Sequence, residues 1–412
     1  MRIGIPYGRD RIGIAVPEEN LVDVIRSEAP EHGRTESEIV LTALKNPVAS
    51  SRLGVLARGK RSAAVLASDI TRPCPTYKFL PPIIDELEEA GIHEITVIFG
   101  LGIHRGQTPE ERMKLAGEYA ARKARRLIDS DEGGRILIGQ TLRKTPVEIC
   151  AEALRADLLI ATGNIEYHYF AGYSGGAKAA VPGICSRRTI QANHSLMLDE
   201  RAVTGNYADN PVRQDIEEAG RMVGIDFLFN IIVDDEKRII AAVSGEAGQA
   251  YQKGMAMYEA FFKREIHEQA DIVITSPGGF PKDMNLYQAQ KALENVKGVV
   301  KEDGEVILVA SCEEGYGEKT FEQWMADARN YERLSARIRE EFVLGGHKAV
   351  AVSKLLSQRR VLLYSCFSRE ETERLGFVKI DRLQPCLDER IRRSPGIRIV
   401  IVPSGRFVQY QQ

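Results

Sequence analysis

Short runs of apolar, β-forming residues alternate with helical patterns over residues 63–161, and this alternation constrains the fold more than any other feature. The runs predicted as strands are residues 63–67, 95–99, 135–138 and 157–161, and the stretches predicted as helices are residues 81–90, 108–126 and 145–155. Alternation of this kind predicts a mostly parallel sheet covered by helices. In such folds the active residues lie in loops that follow the carboxyl ends of the strands.

A second pattern of the same kind begins near residue 265. Strands are predicted at residues 271–275, 305–310 and 397–402, with a helix at residues 285–296 and a long helical stretch, 246–267, leading into this half. The chain therefore predicts two α/β domains with mostly parallel sheets. We expect an N-terminal cofactor-binding and catalytic domain at residues 1–263 and a C-terminal α/β domain at residues 264–403. The tail, residues 404–412, is expected to return to the first domain.

The composition is that of an ordinary globular chain. Its 412 residues suit two domains that each bury a core, and 56 basic residues nearly balance 58 acidic ones. A net charge this close to zero does not predict binding to nucleic acid or to an acidic membrane. No apolar run has the length of a transmembrane helix, and the N-terminus lacks the layout of a signal peptide. Six dispersed cysteines without a CxxC pair predict reduced thiols and a cytoplasmic location.

One segment places a lysine behind a glycine-rich turn, with a histidine on either side. His168 precedes the turn at residues 173–177, Lys178 ends it, and His194 follows sixteen residues later. A lysine can act as a nucleophile, and an imidazole can act as a base or bind a metal. The turn lacks the spacing and the Ser or Thr of a phosphate-binding loop, which argues against nucleoside triphosphate hydrolysis. The alternative is a plain turn with a solvated lysine, a histidine packed among aromatic residues and another at a helix end.

Two earlier loops carry polar residues directly after predicted strands. Asp69 and Arg72 follow one strand, and His104 follows the next. Arginine presents a fork that suits a carboxylate, and Asp69 could hold that arginine or accept a hydrogen bond from a sugar hydroxyl. The alternative is a local Asp–Arg pair that fixes the loop. His104 is either a presented base or the polar tip of a turn.

The second half offers a weaker candidate. Gln288 and Lys291 are three residues apart on one face of a predicted helix. Pointing inward they could bind a carboxylate or a phosphate, and pointing outward they would form an ordinary solvated face. The loop at residues 311–317 also follows a predicted strand, but the sequence assigns it no role.

Five motifs together resemble those of the nickel-pincer-nucleotide-dependent lactate racemase family. They are DITRP at residues 69–73, GLGIHR at 100–105, HYFAGYSGGAK at 168–178, NHS at 193–195 and YQAQK at 287–291. They occur in the family's order, and the similarity extends over almost the whole chain. The spacing of the two histidines around the lysine is specific, whereas DITRP and QAQK would be weak by themselves.

The resemblance implies a cofactor tethered to a lysine. In the family, a pyridinium-3-thioamide-5-thiocarboxylate mononucleotide binds nickel, and its thioamide joins it to the lysine that matches Lys178. The histidine that matches His194 is the protein ligand to nickel, and a neutral imidazole suits that metal. The remaining positions assigned to the cofactor are Asp69, Ser174, Gly175 and Gly176. Separate biosynthetic proteins make the pincer nucleotide, so these proteins are expected partners.

The implied reaction is the inversion of a 2-hydroxy acid, lactate by default, through a 2-keto acid. Hydride passes reversibly between Cα and the pincer nucleotide, and the family's two bases, one for each face, match His104 and His168. The carboxylate clamp matches Arg72, Lys291 and Gln288, so the clamp would draw on both domains and the active site would lie in the cleft between them. Phe170 and Tyr287 are predicted to border the substituent at C2.

Two other classes of protein remain open at this point. A nicotinamide-dependent 2-hydroxy-acid dehydrogenase would also combine hydride transfer, a histidine and an arginine clamp, but the chain lacks a convincing GxGxxG turn. A non-catalytic nickel- or nucleotide-binding protein could keep Lys178 and His194. It would have no need for His104, His168 and Arg72 together.

Overall fold

The computed structural model describes residues 1–25, 33–72, 74–234, 236–343, 345–405 and 408–410, so Pro73 of the DITRP motif and four residues of the tail lie outside the described residues. The chain divides into two compact units. The first unit comprises the described part of residues 29–261, and the second joins the described part of residues 1–28 to that of residues 262–412. We expected residues 1–28 in the N-terminal domain, whereas the structure places residues 1–25, the described part of this segment, in the second unit.

The strands and helices are numbered in chain order. The strands are β1 (Arg2–Tyr7), β2 (Asp10–Ala15), β3 (Leu21–Val24), β4 (Ser62–Ser68), β5 (Glu94–Gly100), β6 (Arg126–Asp129), β7 (Arg135–Gln140), β8 (Pro146–Cys150), β9 (Leu158–Asn164), β10 (Tyr167–His168), β11 (Gly172–Tyr173), β12 (Phe227–Val233), β13 (Ile239–Gly245), β14 (Glu265–Ile266), β15 (Ala270–Thr275), β16 (Val300–Val309), β17 (Arg360–Tyr364), β18 (Val378–Lys379), β19 (Ile399–Val402) and β20 (Gln409–Tyr410). The α-helices are α1 (Glu36–Lys45), α2 (Leu53–Leu56), α3 (Thr76–Glu89), α4 (Pro109–Ala116), α5 (Glu118–Lys123), α6 (Ala151–Arg155), α7 (Arg187–Ser195), α8 (Pro211–Val223), α9 (Ala247–Phe262), α10 (Leu286–Ala289), α11 (Lys291–Val296), α12 (Lys319–Met325), α13 (Tyr331–Glu340), α14 (Gly346–Gln358), α15 (Arg369–Arg374) and α16 (Leu383–Arg393).

The first unit is built on a six-stranded sheet with the order β13-β12-β9-β4-β5-β6. All neighbours pair in parallel except β12 and β13, which form an antiparallel pair at one end. Ser68 of β4 is in register with Gly100 of β5, and Leu66 of β4 is in register with Ala161 of β9. The carboxyl ends of these three neighbouring strands therefore meet at one edge of the sheet.

Both faces of this sheet are buried, because successive side chains of a strand point to opposite faces. Val65 and Val97 belong to the apolar cluster on one face, and Leu66 and Ile98 belong to the cluster on the other. The near-continuous apolar runs of these strands follow from this double burial, which confirms the predicted class of a helix-covered, mostly parallel sheet.

One predicted helix of the first unit is wrong. Residues 146–150 of the stretch predicted as a helix at 145–155 form β8, which pairs antiparallel with β7, and only Ala151–Arg155 is helical. Val147 and Ile149 are buried on either side of the less buried Glu148, a period of two that fits a strand. The predicted strand at 135–138 lies in this two-stranded ribbon and not in the main sheet. The sixth strand of the main sheet is β6, which begins at Arg126, the last residue of the predicted helix 108–126.

The second unit is built on a parallel sheet with the order β18-β17-β16-β15-β19-β3. The edge strand β3 comes from the N-terminus and pairs with β19, so that Leu21 is in register with Ile399. The ribbon of β1 and β2 contributes Ile3, Ile5 and Ile14 to the core on one face of the sheet. In the tail, β20 pairs with β14 of the same unit, whereas we expected the tail to return to the first domain. No helix among the described residues is both long enough and apolar enough to cross a bilayer.

Candidate active site

The loops that follow β4, β5 and β9 border a cavity of about 150 Å³ in the first unit. Six of the residues predicted to form the site line it, namely Arg72, His168, Ser174, Gly175, Lys178 and His194. The cavity thus brings a lysine amine, two imidazoles and a guanidinium to the carboxyl edge of a parallel sheet. Asp69, His104 and Phe170 are predicted site residues that do not line the cavity. Asp69 and His104 contact each other, and Phe170 contacts His168 and His194 of the cavity wall.

Asp69 and His104 form a closely paired dyad at this edge. The Nδ1 atom of His104 lies 2.5 Å from Oδ2 of Asp69, and the hydroxyl of Thr71 donates to Oδ1 of Asp69 at 2.6 Å. Burial of the Asp69 carboxyl raises its pKa, but the hydrogen bond with His104 and the charge of Arg72 outweigh burial and hold the pKa below its ordinary value. A carboxylate at this position fixes the proton of His104 on Nδ1, which leaves Nε2 free to accept another.

Asp69 also fixes the beginning of its own loop. The backbone N–H of Thr71 donates to its carboxylate at 2.8 Å, and that of Arg72 donates to its carbonyl oxygen at 3.1 Å. Both carboxylate oxygens are thus occupied by groups of the chain. The Asp–Arg interaction that we considered as a local alternative contributes to the low pKa of Asp69, while Arg72 itself lies on the cavity wall.

His168 lies in the small ribbon of β10 and β11, in register with Gly172. Its Nδ1 atom accepts a hydrogen bond from the backbone N–H of Ala171 at 3.3 Å, and its ring stacks on that of Tyr169. An Nδ1 atom that accepts leaves the proton of the neutral ring on Nε2. The two neutral imidazoles are therefore held in opposite tautomers, in which Nε2 of His104 is an acceptor and Nε2 of His168 is a hydrogen-bond donor.

Phe170 lies between the two histidines that line the cavity. Its ring is edge-on to His168 at a centroid distance of 4.5 Å and to His194 at 4.9 Å. The Nζ atom of Lys178 is 5.8 Å from the same ring centroid. Because Phe170 is buried, it acts as an apolar spacer for these groups.

His194 lies in the last turn of α7, a helix that Ser186 caps at its N-terminus. Asn193 donates through Nδ2 to the Val212 carbonyl and to Asp215, so its Oδ1 atom is the acceptor that faces Nδ1 of His194 at 3.2 Å. This arrangement places the proton of a neutral His194 on Nδ1 and the lone pair of the ring on Nε2. A supporting hydrogen bond of this kind is usual behind a metal-ligating imidazole.

The residues assigned to the glycine turn divide into two groups. Ser174 and Gly175 line the cavity, although the Ser174 hydroxyl donates to the Asn164 carbonyl at 2.8 Å and accepts from the Glu166 N–H at 2.9 Å. A Cβ atom added at Gly176 would meet Arg213 and Tyr251, so this glycine faces the interior of the unit.

Asn164 and Glu166 are cavity residues that the sequence analysis missed. Asn164 ends β9, and its Oδ1 atom is buried without a hydrogen-bond partner in the structure. Such an atom is an acceptor that a polar ligand in the cavity could satisfy. The rule that polar residues directly after a strand line the site, which identified Asp69 and His104, would also have identified Asn164 and Glu166.

The donor set fits a lysine-tethered cofactor that brings its own metal donors. The Lys178 amine and the His194 imidazole share one cavity with Asn164, whose side-chain Oδ1 atom has no hydrogen-bond partner in the structure. Across the part of the chain that the structure describes, no three His, Cys, Asp or Glu side chains are grouped so that they could hold a metal ion.

Tyr287, Gln288 and Lys291 lie in the second unit, at α10 and the start of α11. The Lys291 ammonium donates to Oε1 of Gln288 at 2.9 Å, so the two side chains are in contact although Gln288 belongs to α10 and Lys291 begins α11. Lys348 makes two contacts with Tyr287. Its Nζ atom lies 3.2 Å from the centroid of the tyrosine ring and donates a hydrogen bond to the tyrosine backbone carbonyl at 2.9 Å.

The loop at residues 311–317, to which the sequence assigned no role, fixes the entry to α10. The Ser311 N–H donates to the buried Asp283 carboxylate at 3.1 Å, and the Cys312 N–H donates to the Asp283 carbonyl at 2.8 Å. In return, the N–H groups of Leu286 and Tyr287 donate to carbonyls of the loop at 3.0 Å. The loop thereby sets where the helix that carries Gln288 begins.

The chain is similar to known proteins over most of its length. Residues 7–205 match the family described as the lactate racemase N-terminal domain, and residues 266–391 match the lactate racemase C-terminal domain. The lactate racemase of Thermoanaerobacterium thermosaccharolyticum is 30% identical over 98% of this chain and 97% of its own length. That of Lactiplantibacillus plantarum is 34% identical over 79% of this chain and 78% of its own length.

Two solved structures share the fold. The lactate racemase apoprotein from T. thermosaccharolyticum matches with a TM-score of 0.92 at 30% identity, over the whole of both chains. A protein from Thermotoga maritima matches with a TM-score of 0.68 at 17% identity, over 92% of this chain and 98% of that one, and this likeness concerns the fold alone.

Proposed function

Because the chain belongs to the lactate racemase family, we propose that it inverts the C2 centre of a 2-hydroxy acid, with lactate as the first candidate, by means of a nickel pincer nucleotide held on Lys178. Family membership confirms the predicted class of enzyme, a racemase. The observation that carries the finer proposal is that Lys178, His194, His168 and Arg72 line one cavity.

Lys178 and His194 are the residues that would hold the cofactor. The Lys178 amine would hold the nucleotide through a thioamide, and the imidazole of His194, whose Nδ1 atom faces Asn193, would bind nickel. When bound, the pincer nucleotide supplies a reversible hydride acceptor. The buried Oδ1 atom of Asn164 would accept a hydrogen bond from a hydroxyl or amide group of the bound molecule. Pincer-biosynthesis proteins are the partners that this proposal requires.

His104 and His168 would move the hydroxyl proton of the substrate. With its Nδ1 proton held by Asp69, His104 accepts the hydroxyl proton at Nε2 as the substrate becomes a 2-keto acid. As an imidazolium, His168 gives a proton to the keto oxygen when C2 is reduced from its other face and is left neutral. The opposite enantiomer results, and the reverse reaction uses the two histidines in exchanged roles.

Arg72, Lys291 and Gln288 would bind the substrate carboxylate. A guanidinium on the cavity wall offers two parallel donors to a carboxylate, and the hydrogen-bonded Lys291–Gln288 pair offers an ammonium and an amide. Phe170 and Tyr287 remain our candidates for the apolar border of the substituent at C2.

The test is a chiral assay of the protein produced together with pincer-biosynthesis proteins. Single enantiomers of lactate and of larger 2-hydroxy acids are incubated without nicotinamide cofactor, and the other enantiomer is measured by chiral chromatography. We expect interconversion in both directions, with turnover lowered about 10²- to 10⁴-fold in His104→Gln and in His168→Gln. Oxidation that depends on added NAD would favour the dehydrogenase instead, and a loaded protein that turns over none of these acids would favour a binding protein.

A further inference from the structure

The backbone of the turn before Lys178 forms hydrogen bonds with buried side chains of other elements. The Tyr251 hydroxyl, from α9, donates to the Ser174 carbonyl at 2.9 Å. The Oδ1 atom of Asn230, from β12, accepts the N–H of Gly176 at 2.7 Å. Both residues are fully buried, so water does not compete for these bonds.

Arg213 of α8 is the third buried residue that contacts the backbone of this turn. Its Nη1 atom donates to the carbonyls of Tyr173 and Gly175, each at 3.3 Å. The guanidinium is fully buried and is neutralised by Glu217 at 2.5 Å, and it lies 4.2 Å from the centroid of the Tyr251 ring. Because its charge is paired with Glu217, this buried arginine can direct its Nη1 and Nη2 donors to the loop backbone.

These close contacts require glycine at positions 175 and 176 of the turn. Gly175 and Gly176 have φ values of 77° and 62°, a region that residues with a Cβ atom rarely adopt. A Cβ atom at Gly175 would come within 2.8 Å of Oδ1 of Asn230, and one at Gly176 would come within 2.6 Å of Nη2 of Arg213. The side chains press directly on the backbone, and only glycine allows them to do so.

We propose that Arg213, Asn230 and Tyr251, together called the clasp, are positioning residues that hold the turn in the one conformation that presents Lys178 to the cavity. None of the three belongs to the cavity wall, so the clasp acts through the backbone of residues 173–176 and not by touching a ligand. The function of the clasp rests on the proposed role of Lys178, whereas its effect on the conformation of the turn does not.

The first experiment uses the full-length chain without cofactor. Tyr251→Phe removes only the hydroxyl that reaches Ser174, and Tyr207→Phe is the matched control, because the Tyr207 ring lies 5.9 Å from that of Tyr251 and its hydroxyl is paired with Gln252. Amide hydrogen exchange is followed at Ser174, Gly176 and Lys178. We expect about fivefold faster exchange there in Tyr251→Phe, the loss of one net hydrogen bond, with exchange in the β4 and β5 core unchanged. Equal exchange in both variants and in the unsubstituted chain would overturn the clasp.

A second measurement connects the clasp to Lys178. The same chains are produced with limiting pincer-biosynthesis proteins, and the fraction that carries an adduct at Lys178 is measured by peptide mass spectrometry. Loading about fivefold lower in Tyr251→Phe than in Tyr207→Phe supports the proposal, and so does a similar loss in Asn230→Ala, which removes the acceptor of the Gly176 N–H. Equal loading in Tyr251→Phe and Tyr207→Phe, despite faster exchange, would contradict the positioning of Lys178. If the unsubstituted chain acquires no adduct, the proposed function fails, and the exchange experiment still decides whether the clasp fixes the turn.

Discussion

The Nδ1 atom of His104 lies 2.5 Å from Oδ2 of Asp69, a carboxylate that is almost completely buried. This contact joins the loop after β4 to the loop after β5 and determines which nitrogen of His104 can accept a proton. His168 meets a backbone N–H through its Nδ1 atom instead, at 3.3 Å. The two imidazoles of the proposed pair are therefore not equivalent, although both come from histidines at the same edge of one sheet.

Asp69→Asn is expected to lower turnover about a hundredfold with little change in KM, because an amide no longer fixes the Nδ1 proton of His104. Thr71→Val provides the graded control, since it removes only a hydroxyl that donates to Asp69 at 2.6 Å, and it should cost less than tenfold. Steady-state kinetics in both directions measures the two effects. A loss in Thr71→Val as large as that in Asp69→Asn would mean that loop order, and not the tautomer of His104, limits the rate.

Gly176→Ala is expected to destabilise the chain by at least about 3 kcal/mol, because it combines a positive φ with overpacking against Arg213 and Tyr251. Gly224→Ala is the matched control, with a φ of 79° and open space where the Cβ atom would lie. The control should lose about 1 kcal/mol from backbone strain alone. Urea unfolding curves measure both, and equal losses would show that the packing around Gly176 yields without cost.

The stability of the second unit is expected to fall as the solution becomes acidic, through His347. Burial, with the charge of Lys348 adding to it, lowers the pKa of His347 from 6.5 to about 3. Between these two values the unfolded chain binds a proton at this residue and the folded chain does not. The free energy of unfolding therefore decreases as pH falls through this window, by up to about 1.4 kcal/mol per pH unit.

His347→Gln should flatten this dependence, since glutamine does not titrate. The exposed His93 supplies the control, and His93→Gln should leave the slope unchanged. Urea unfolding of the three chains at several pH values between about 4 and 7 makes the comparison. A slope that survives in His347→Gln would assign the acid sensitivity to other groups.

Lys348→Met is expected to raise KM about tenfold with a smaller effect on kcat, because Lys348 holds both the ring and the carbonyl of Tyr287 beside Gln288. Lys354→Met alters an exposed lysine of the same helix, α14, and should leave KM unchanged. Kinetics with lactate and with a larger 2-hydroxy acid measures the effect. If kcat falls while KM is constant, Tyr287 acts in the chemical step and not in substrate binding.

Much of the first unit could be predicted from local patterns. β4, β5 and β9 are apolar runs of strand length, and the polar residues that follow them lie at one edge because parallel strands place their carboxyl ends together. The position of Arg72 and His168 in loops after parallel strands was therefore enough to predict that they lie near each other, and both line one cavity in the structure. β8 was missed because its five residues run directly into a helical turn, so that a strand and a helix share one apolar stretch.

The remaining features depend on contacts between residues far apart in the chain. β3 pairs with β19 across almost the whole sequence, so nothing near residue 21 indicates that it belongs to the second unit. The same holds for the clasp, in which Arg213, Asn230 and Tyr251 reach back to residues 173–176. The glycine pair signalled a special turn, but the side chains that impose it could be identified only in the folded chain.

The central claim is that Lys178 carries the cofactor, and the most direct measurement is the intact mass of the protein produced with pincer-biosynthesis proteins. The account predicts an added mass of nucleotide size that contains nickel, maps to Lys178 and is absent from Lys178→Ala. Lys282→Ala, which removes an exposed lysine of the second unit, should keep the added mass. An unmodified mass in the unsubstituted chain, obtained under conditions that load a known lactate racemase, would contradict the account.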